Sequence, residues 1–421
     1  MNEIIFPRRQ GSEFFGGRAS AVPPEIMNDA VNIVEAVREG GEEALRDYVE
    51  RFQEGGADGS LFIPRDSLAP WLDRLGSADQ GRLERIAERI RVFATAQRDA
   101  LSEVALEVPG GRAGQNVSPM AAAGCYAPGG RYPLPSSVLM SAITARVAGV
   151  ESVWVASPRP APITLAAAAV AEVDGVLSAG GAHAVAALAF GVGPLPPSDI
   201  IVGPGNLYVT AAKQYLAGSV AIDMLAGPSE LVILADDCAN PAWVAADLLA
   251  QAEHDPQALP ILITVDPALV AAVENELRRQ LSDLPTADIA RAALEKGGVI
   301  LCPDMREAAL ISDGIAPEHL QLSVNEPDLW IPRLNHYGAL FVGEGSAEVF
   351  GDYGAGPNHV LPTSGTARSR GGLSVLDFLR TRTWIRLDEP APPVGLVEDS
   401  VWLAREEGLE AHARAAEARL R

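Results

Sequence analysis

Cysteine is scarce in this chain of 421 residues, with Cys125, Cys238 and Cys302 an odd set at wide spacing. Such a pattern offers neither a CxxC metal pair nor a disulfide framework, and buried thiols in a reducing compartment are the expectation. Basic residues are also short, 33 Lys and Arg against 55 Asp and Glu, for a formal net charge of −22. Phosphate binding needs clustered cations, so nucleic acid and anionic membrane are disfavoured as partners. No stretch reaches the roughly 18 apolar residues that span a bilayer, and the start "MNEIIFPRRQGSEFF" has no apolar core of signal-peptide length, so a cytoplasmic location is expected. No internal repeat or low-complexity block stands out.

What is present is a 48% hydrophobic composition over a length that favours two domains over one. Short β-branched runs recur: "VWVA" 153–156, "DIIV" 199–202, "VAID" 220–223, "LVILA" 231–235, "PILIT" 260–264, "GVIL" 298–301 and "ALFVG" 339–343. Ala-rich helical stretches such as "APITLAAAAVAEV" and "NLYVTAAKQYLAG" lie between most of them, which predicts an α/β architecture with parallel sheets. The first 110 residues read as mostly amphipathic, charge-laced helix. The tail "DSVWLAREEGLEAHARAAEARLR" reads as another charged helix after the Pro-rich linker "LDEPAPPVG", free to pack on its own body or on a partner subunit.

One helix carries an unusual stripe. In "NPAWVAADLLAQAEHDP", Asn240 as N-cap and Pro241 at the first position start a helix that Asp255-Pro256 ends, which puts Gln251 and His254 side by side in its last turns, with Asp247 on the same stripe. A His near a helix C-terminus can simply favour the dipole while Gln is solvated. The same N and O donors are also half of a metal site that needs ligands from elsewhere.

The remaining histidines bear on that choice. "IAPEHLQL" sets Glu318 beside His319 after a proline that disfavours helix at Ala316. Neighbours on a regular strand point to opposite faces, so joint action needs irregular backbone there; paired, they would be two bases of different strength. "GDYGAGPNHVLPT" forbids regular structure while carrying Asp352, Asn358 and His359, as a loop that lines something does. His412 lies in the tail, and His336 in "RLNHYG" reads as a surface or loop residue.

Three glycine-rich turns follow strands or enter helices: "YAPGG" 126–130, "AGGAHAVAALAFG" 179–191 and "GPGN" 203–206. Backbone N–H groups and a helix N-terminus in such turns can hold a pyrophosphate. None matches GxGxxG with an acid about 20 residues on, yet three in one segment point to a dinucleotide site.

Taken together, "GPGNLYVTAAK", "AIDMLAGPSELVILAD", "DLLAQAEHDP", "APEHL", "GDYGAGPNHVLPT" and "EGLEAHARAAEAR" resemble the histidinol dehydrogenase family, in order, from about residue 110 to the end. The resemblance implies a zinc-dependent, NAD-linked homodimer that oxidises L-histidinol through L-histidinaldehyde to L-histidine. It implies one zinc per subunit, held by Gln251, His254 and Asp352 of one chain and His412 of the other, with Asp247 a helix-face or supporting residue. Glu318 and His319 would be the acid–base couple, His319 accepting the alcohol proton and Glu318 activating water. Ser136, Ser229, His359 and Glu407 would contact substrate with the metal and base residues, and Tyr126, His183 and Asn206 would contact NAD.

The implied organisation is two Rossmann-like parallel-sheet domains with a helical N-terminal lead-in and a helical C-terminal tail. Residues 1–110 would form the lead-in and first part of the catalytic α/β domain, 111–228 the cofactor-side domain, 229–380 the rest of the catalytic domain, and 381–421 a tail serving the partner's site. Some positions depart from the family pattern: His183 stands in "GGAHA" where Gln is common, "RFQEGGADGSLF" lacks Phe-Asp-Gly, "FATAQRDALSEVALEV" lacks its His and Trp, and "SRGGLSVLDF" is unusual around its glycines. A relative acting on another small alcohol, such as dihydroxypropanesulfonate, is the alternative within the family. A zinc hydrolase, or a metal-stabilised scaffold with no activity, are the alternatives outside it.

Overall fold

The computed structural model describes residues 6–15, 22–56, 59–129, 132–388 and 392–420. Gly130 of the first glycine-rich turn, residues 57–58 of "RFQEGGADGSLF" and residues 389–391 of the Pro-rich linker lie outside the described residues. The chain runs through α1 (Pro24–Arg51), β1 (Phe62–Pro64), α2 (Ala69–Asp73), α3 (Ser77–Asp99) and the antiparallel pair β2 (Val104–Val108) and β3 (Gly111–Pro119). A first alternation follows: β4 (Ala122–Tyr126), α4 (Pro135–Ala148), β5 (Ser152–Ala156), α5 (Pro162–Val170), β6 (Gly175–Leu177), α6 (Gly181–Phe190), β7 (Ile200–Val202), α7 (Leu207–Leu216) and β8 (Ala221–Ile222). A second comprises β9 (Glu230–Ala235), α8 (Pro241–Ala252), β10 (Leu259–Thr264), α9 (Pro267–Leu281), α10 (Ala287–Lys296), β11 (Gly298–Leu301), α11 (Met305–Ile315), β12 (His319–Ser323), α12 (Pro327–Trp330), β13 (Ala339–Val342) and α13 (Val349–Tyr353). The chain closes with β14 (Leu379–Leu387), α14 (Val394–Glu406) and α15 (Glu410–Glu417).

Local chemistry sets the helix starts. Proline occupies the first turn of α4, α5, α8 and α9, where its missing N–H is no loss. Asn206, Asn240, Asp266 and Asp304 accept backbone N–H groups at the starts of α7, α8, α9 and α11, each cap contributing about 1 kcal/mol.

The first sheet has strand order β1-β6-β5-β4-β7-β8, parallel except for β1 at its edge, and the second has order β11-β10-β9-β12-β13, parallel throughout. Every residue of β4, β9 and β12 is buried, as strands covered on both faces must be, although β12 carries His319, Gln321 and Ser323 among its leucines. In each sheet the parallel strands begin in the middle, build one side, then return to build the other, so strand order reverses between β4 and β7 and between β9 and β12.

The α/β architecture with parallel sheets, helical lead-in and helical tail stands as expected from sequence. The lead-in helices α1 and α3 pack on the first sheet's helices, α1 against α6 and α7 and α3 against α4. Residues before α1 go elsewhere: Phe6 is buried with Leu231 and Ile233 of the second sheet, and Arg8 bridges Val299. A third sheet, β14-β3-β2, is antiparallel and was not foreseen. It and the tail helices carry exposed apolar side chains, among them Leu106, Ile385, Trp402, Leu403 and Leu409.

Candidate active site

The polar stripe of α8 divides. Asn240 caps the helix, accepting from Ala242 N–H at 3.0 Å, but the helix ends at Ala252, so His254 lies just beyond it rather than in its last turn. The reason is a tight close, with His254 N–H reaching back to the Gln251 carbonyl at 3.4 Å before Asp255-Pro256 turns the chain. Gln251 is fully buried, and neither its Oε1 nor its Nε2 has a hydrogen-bond partner. Leaving such an amide unpaired costs about 1–3 kcal/mol, so it is a candidate donor to a bound group. Asp247 is held by the chain itself, accepting from Gln321 Nε2 at 2.7 Å.

The irregular backbone needed by Glu318 and His319 is present. Ala316 closes α11 in the left-handed region, φ 55°, and Pro317 follows, so Glu318 precedes the regular strand that His319 begins. Both side chains are buried and line one cavity. His319 Nδ1 lies 3.0 Å from the Glu230 carbonyl, an acceptor only, so Nδ1 carries the proton and Nε2 keeps its lone pair. Glu318 Oε2 accepts from Glu230 N–H at 2.9 Å.

Asp352, on α13, closes the cluster. Its Oδ1 is 3.8 Å from His319 Nε2 and its Oδ2 is 4.0 Å from His254 Nε2, while His359 Nδ1 donates to the Asp352 carbonyl at 3.1 Å. Glu348, one helical turn earlier, is buried with both oxygens unpartnered, and ligand atoms of His254, Glu348 and Asp352 all lie within 4.8 Å of one another. The sequence reading missed Glu348; its i, i+4 spacing from Asp352 was the available signal.

Burial governs the charges. It pushes Glu318 and Glu348 well above the usual carboxylate range and Asp352 up to about 7. It likewise holds His254 below its ordinary value and His319 and His359 down to about 4. Acidic carboxyls beside neutral imidazoles and an orphaned amide are a nitrogen-and-oxygen donor set that a divalent cation would relieve of its desolvation cost. The residues therefore fit a zinc-type ion.

The cavity, of about 240 Å³, is lined by Ser136, Ser229, His254, Glu318, His319, Asp352 and His359 among others. It sits between the carboxyl ends of β4 and β7 and the amino ends of β9 and β12. The first sheet thus obeys the rule that ligands bind beyond the carboxyl ends at a switch point, and the second presents its opposite edge. Pro128 also lines a second pocket, of about 680 Å³, that holds Tyr126, His183 and Asn206.

The turn between the two pockets is held from behind. Gly203 has φ 108°, and a Cβ there would stand 2.1 Å from the Tyr126 carbonyl oxygen. Its N–H donates to Asp223 Oδ2 at 2.7 Å, its carbonyl accepts from Lys213 Nζ at 2.9 Å, and Lys213 and Asp223 are a buried ion pair. The turns differ from an open phosphate cradle. Gly180 N–H donates to Glu54, Gly181 N–H donates to the Tyr126 hydroxyl at 3.1 Å, and Tyr208 and Val209 N–H groups go to Asn206. Those donors are used inside the chain.

Two residues of the set lie apart. Glu407 and His412 are exposed on the tail and line neither pocket, and α14 and α15 pack chiefly on each other. His336 is in a loop outside the site, its Nδ1 3.3 Å from the Asp313 carbonyl. Cys125 and Cys302 are buried and free as expected, whereas Cys238 is exposed because it sits in the turn between β9 and α8.

A buried acid–base couple, a donor cluster for a cation and an adjoining pocket at a sheet switch point define an α/β enzyme. A sequence profile describing histidinol dehydrogenase matches residues 18–420. The chain is 46% identical over 419 residues to histidinol dehydrogenase from Thermus thermophilus, covering 99% of this chain and 100% of that one. It is 45% identical over 406 residues to the enzyme of that name from Nitrosomonas europaea, covering 95% and 94%. The crystal structure of histidinol dehydrogenase from Elizabethkingia anophelis matches with a TM-score of 0.93 at 30% identity, covering 100% of this chain and 99% of that one. The chain belongs to the histidinol dehydrogenase family of oxidoreductases.

Proposed function

We propose that this protein catalyses the zinc-dependent, NAD-linked four-electron oxidation of L-histidinol through L-histidinaldehyde to L-histidine, completing histidine biosynthesis as a cytoplasmic homodimer. One observation carries the reading: His254, Glu348 and Asp352 cluster beside His319 at a cavity that adjoins the pocket of Tyr126, His183 and Asn206, and the Gln251 amide, three residues before His254, is buried without a partner. Zinc, held by Gln251, His254 and Asp352 with the partner subunit's His412, would supply a redox-inert anchor for the substrate's amino and imidazole nitrogens, and NAD the hydride acceptor.

The chain's own groups do the proton work. His319 Nε2, neutral and unpartnered, accepts the alcohol proton, and its fixed Nδ1–H tautomer keeps it in that role. Glu318, buried next to it, acts in its ionised form and takes a proton from the water that adds to the aldehyde between the two oxidations. Ser136, Ser229 and His359 line the cavity where they orient the substrate.

Exposed apolar side chains on the tail and third sheet support the dimer, because Trp402, Leu403, Leu409 and Ile385 need cover. A recess of about 450 Å³ beside the site, walled by Phe341, Phe350 and Leu361 with His319, Asp352 and His359, offers the partner's tail a seat from which Glu407 and His412 enter. Absorbance at 340 nm tests the reading. Two NADH per L-histidinol, lost on metal removal, is the expected result. One NADH, or oxidation of a different alcohol only, places the protein with the other small-alcohol dehydrogenases, and none at all overturns the dehydrogenase reading.

A further inference from the structure

We infer that Glu54, held in place by His183, is the group that selects an unphosphorylated ribose, so that the protein prefers NAD to NADP; this rests on the NAD reading above. Glu54 follows α1 and reaches the start of α6, where its Oε2 accepts from Gly180 N–H at 2.8 Å and lies 3.0 Å from His183 Nε2. His183 is buried, and its ring lies nearly parallel to those of Tyr48 and Phe52, at 5.6 and 5.5 Å between centroids. The stack fixes the imidazole with Nε2 on the carboxylate. Two departures from the family pattern, His in "GGAHA" and the altered "RFQEGG", thus meet in one contact across 129 residues of sequence.

Tyr48, Phe52, Glu54 and His183 all line the larger pocket. Gly180 permits the approach, since a Cβ there would stand 2.8 Å from Pro158 and 3.2 Å from Glu54 Oε1. The amides of Gly180 and Gly181 are the donors that a phosphate would take at a helix start, and Glu54 and Tyr126 already occupy them. A carboxylate at that place accepts hydrogen bonds from hydroxyls and repels a phosphate monoester, the same logic by which an acid near a glycine-rich turn reads a ribose diol. Its side chain is only 11% exposed, so water does little to screen that repulsion. Asp29 adds a second acid to the wall, and Arg51 and Arg159 supply the cations for the bridging pyrophosphate.

Calorimetric titration of the zinc-loaded full-length protein with NAD and with NADP tests this. The unaltered protein is expected to bind NAD more tightly, and Glu54→Gln to reduce the NAD-to-NADP preference by about tenfold or more, chiefly through tighter NADP binding. Glu54→Ala serves if the Gln variant does not fold. His183→Gln, which keeps the carboxylate and offers an amide donor, is expected to retain the preference. An unchanged preference in folded Glu54 variants, or its collapse in His183→Gln alone, overturns the inference and leaves the NAD reading standing. Binding of neither dinucleotide by the unaltered protein overturns both.

Discussion

Asp247 on α8 accepts a 2.7 Å hydrogen bond from Gln321 on β12, both side chains buried. That bond docks the helix carrying Gln251, and His254 beyond it, onto the strand that begins at His319. Asp247→Ala leaves the Gln321 amide without its main acceptor and is expected to lower stability by about 1–3 kcal/mol. Asp247→Asn, which still accepts, should lose less. Urea unfolding of the two variants checks the order, and equal losses would contradict it.

The buried Lys213 and Asp223 pair holds the Gly203 turn between the two pockets. Lys213→Met strands a buried carboxylate, a change that costs about 3–5 kcal/mol. Asp223→Asn in the Lys213→Met background should recover part of the loss, and thermal unfolding of both variants reads it. A Lys213→Met protein as stable as the parent would show that the pair is dispensable.

Alkaline stability follows from two buried groups. Burial pushes the Cys125 thiol from 9.0 up to about 12, and burial likewise raises Tyr126 from 10.0 to about 12. Between the unfolded and folded values the native chain holds protons that the unfolded chain releases, so this stabilisation is complete below pH 9 and is lost as pH rises toward about 12. Urea midpoints should therefore fall with rising pH in that window, and less steeply in Cys125→Val. A flat profile would contradict the assignment.

The proposed sharing of the site between subunits makes a sharp prediction. His412→Ala and Gln251→Ala proteins should each be inactive and bind zinc poorly, and unfolding and refolding them together should restore activity, because the mixed dimer contains one site with neither defect. No recovery, with mixed dimers demonstrated by mass, would place His412 in its own chain's site.

How far the sequence went depended on whether the governing interactions were local. The seven β-branched runs became strands, most of them because burial on both faces writes itself as an apolar run, and Asn240-Pro241 announced α8 through cap chemistry that is local to its first turn. The third sheet stayed hidden because "LRTRTWIRL" pairs with "GRAGQNVSP" across more than 250 residues and neither has a buried face. The glycine turns were visible, but that their amides are taken by Glu54, Tyr126 and Asn206 depends on side chains arriving from other elements. Glu348 escaped notice since an acid at the start of "EVFGDY" looks like a solvated helix start, and only its burial turns the i, i+4 spacing from Asp352 into a paired site.

Competition with a chromophoric chelator, giving the number and affinity of zinc ions per chain, tests the central arrangement most directly. One tightly held zinc per chain is expected in the unaltered protein, with affinity weakened by at least about tenfold in folded His254→Ala and Asp352→Ala variants. Zinc held as tightly in both variants as in the parent would contradict a metal centre at these residues.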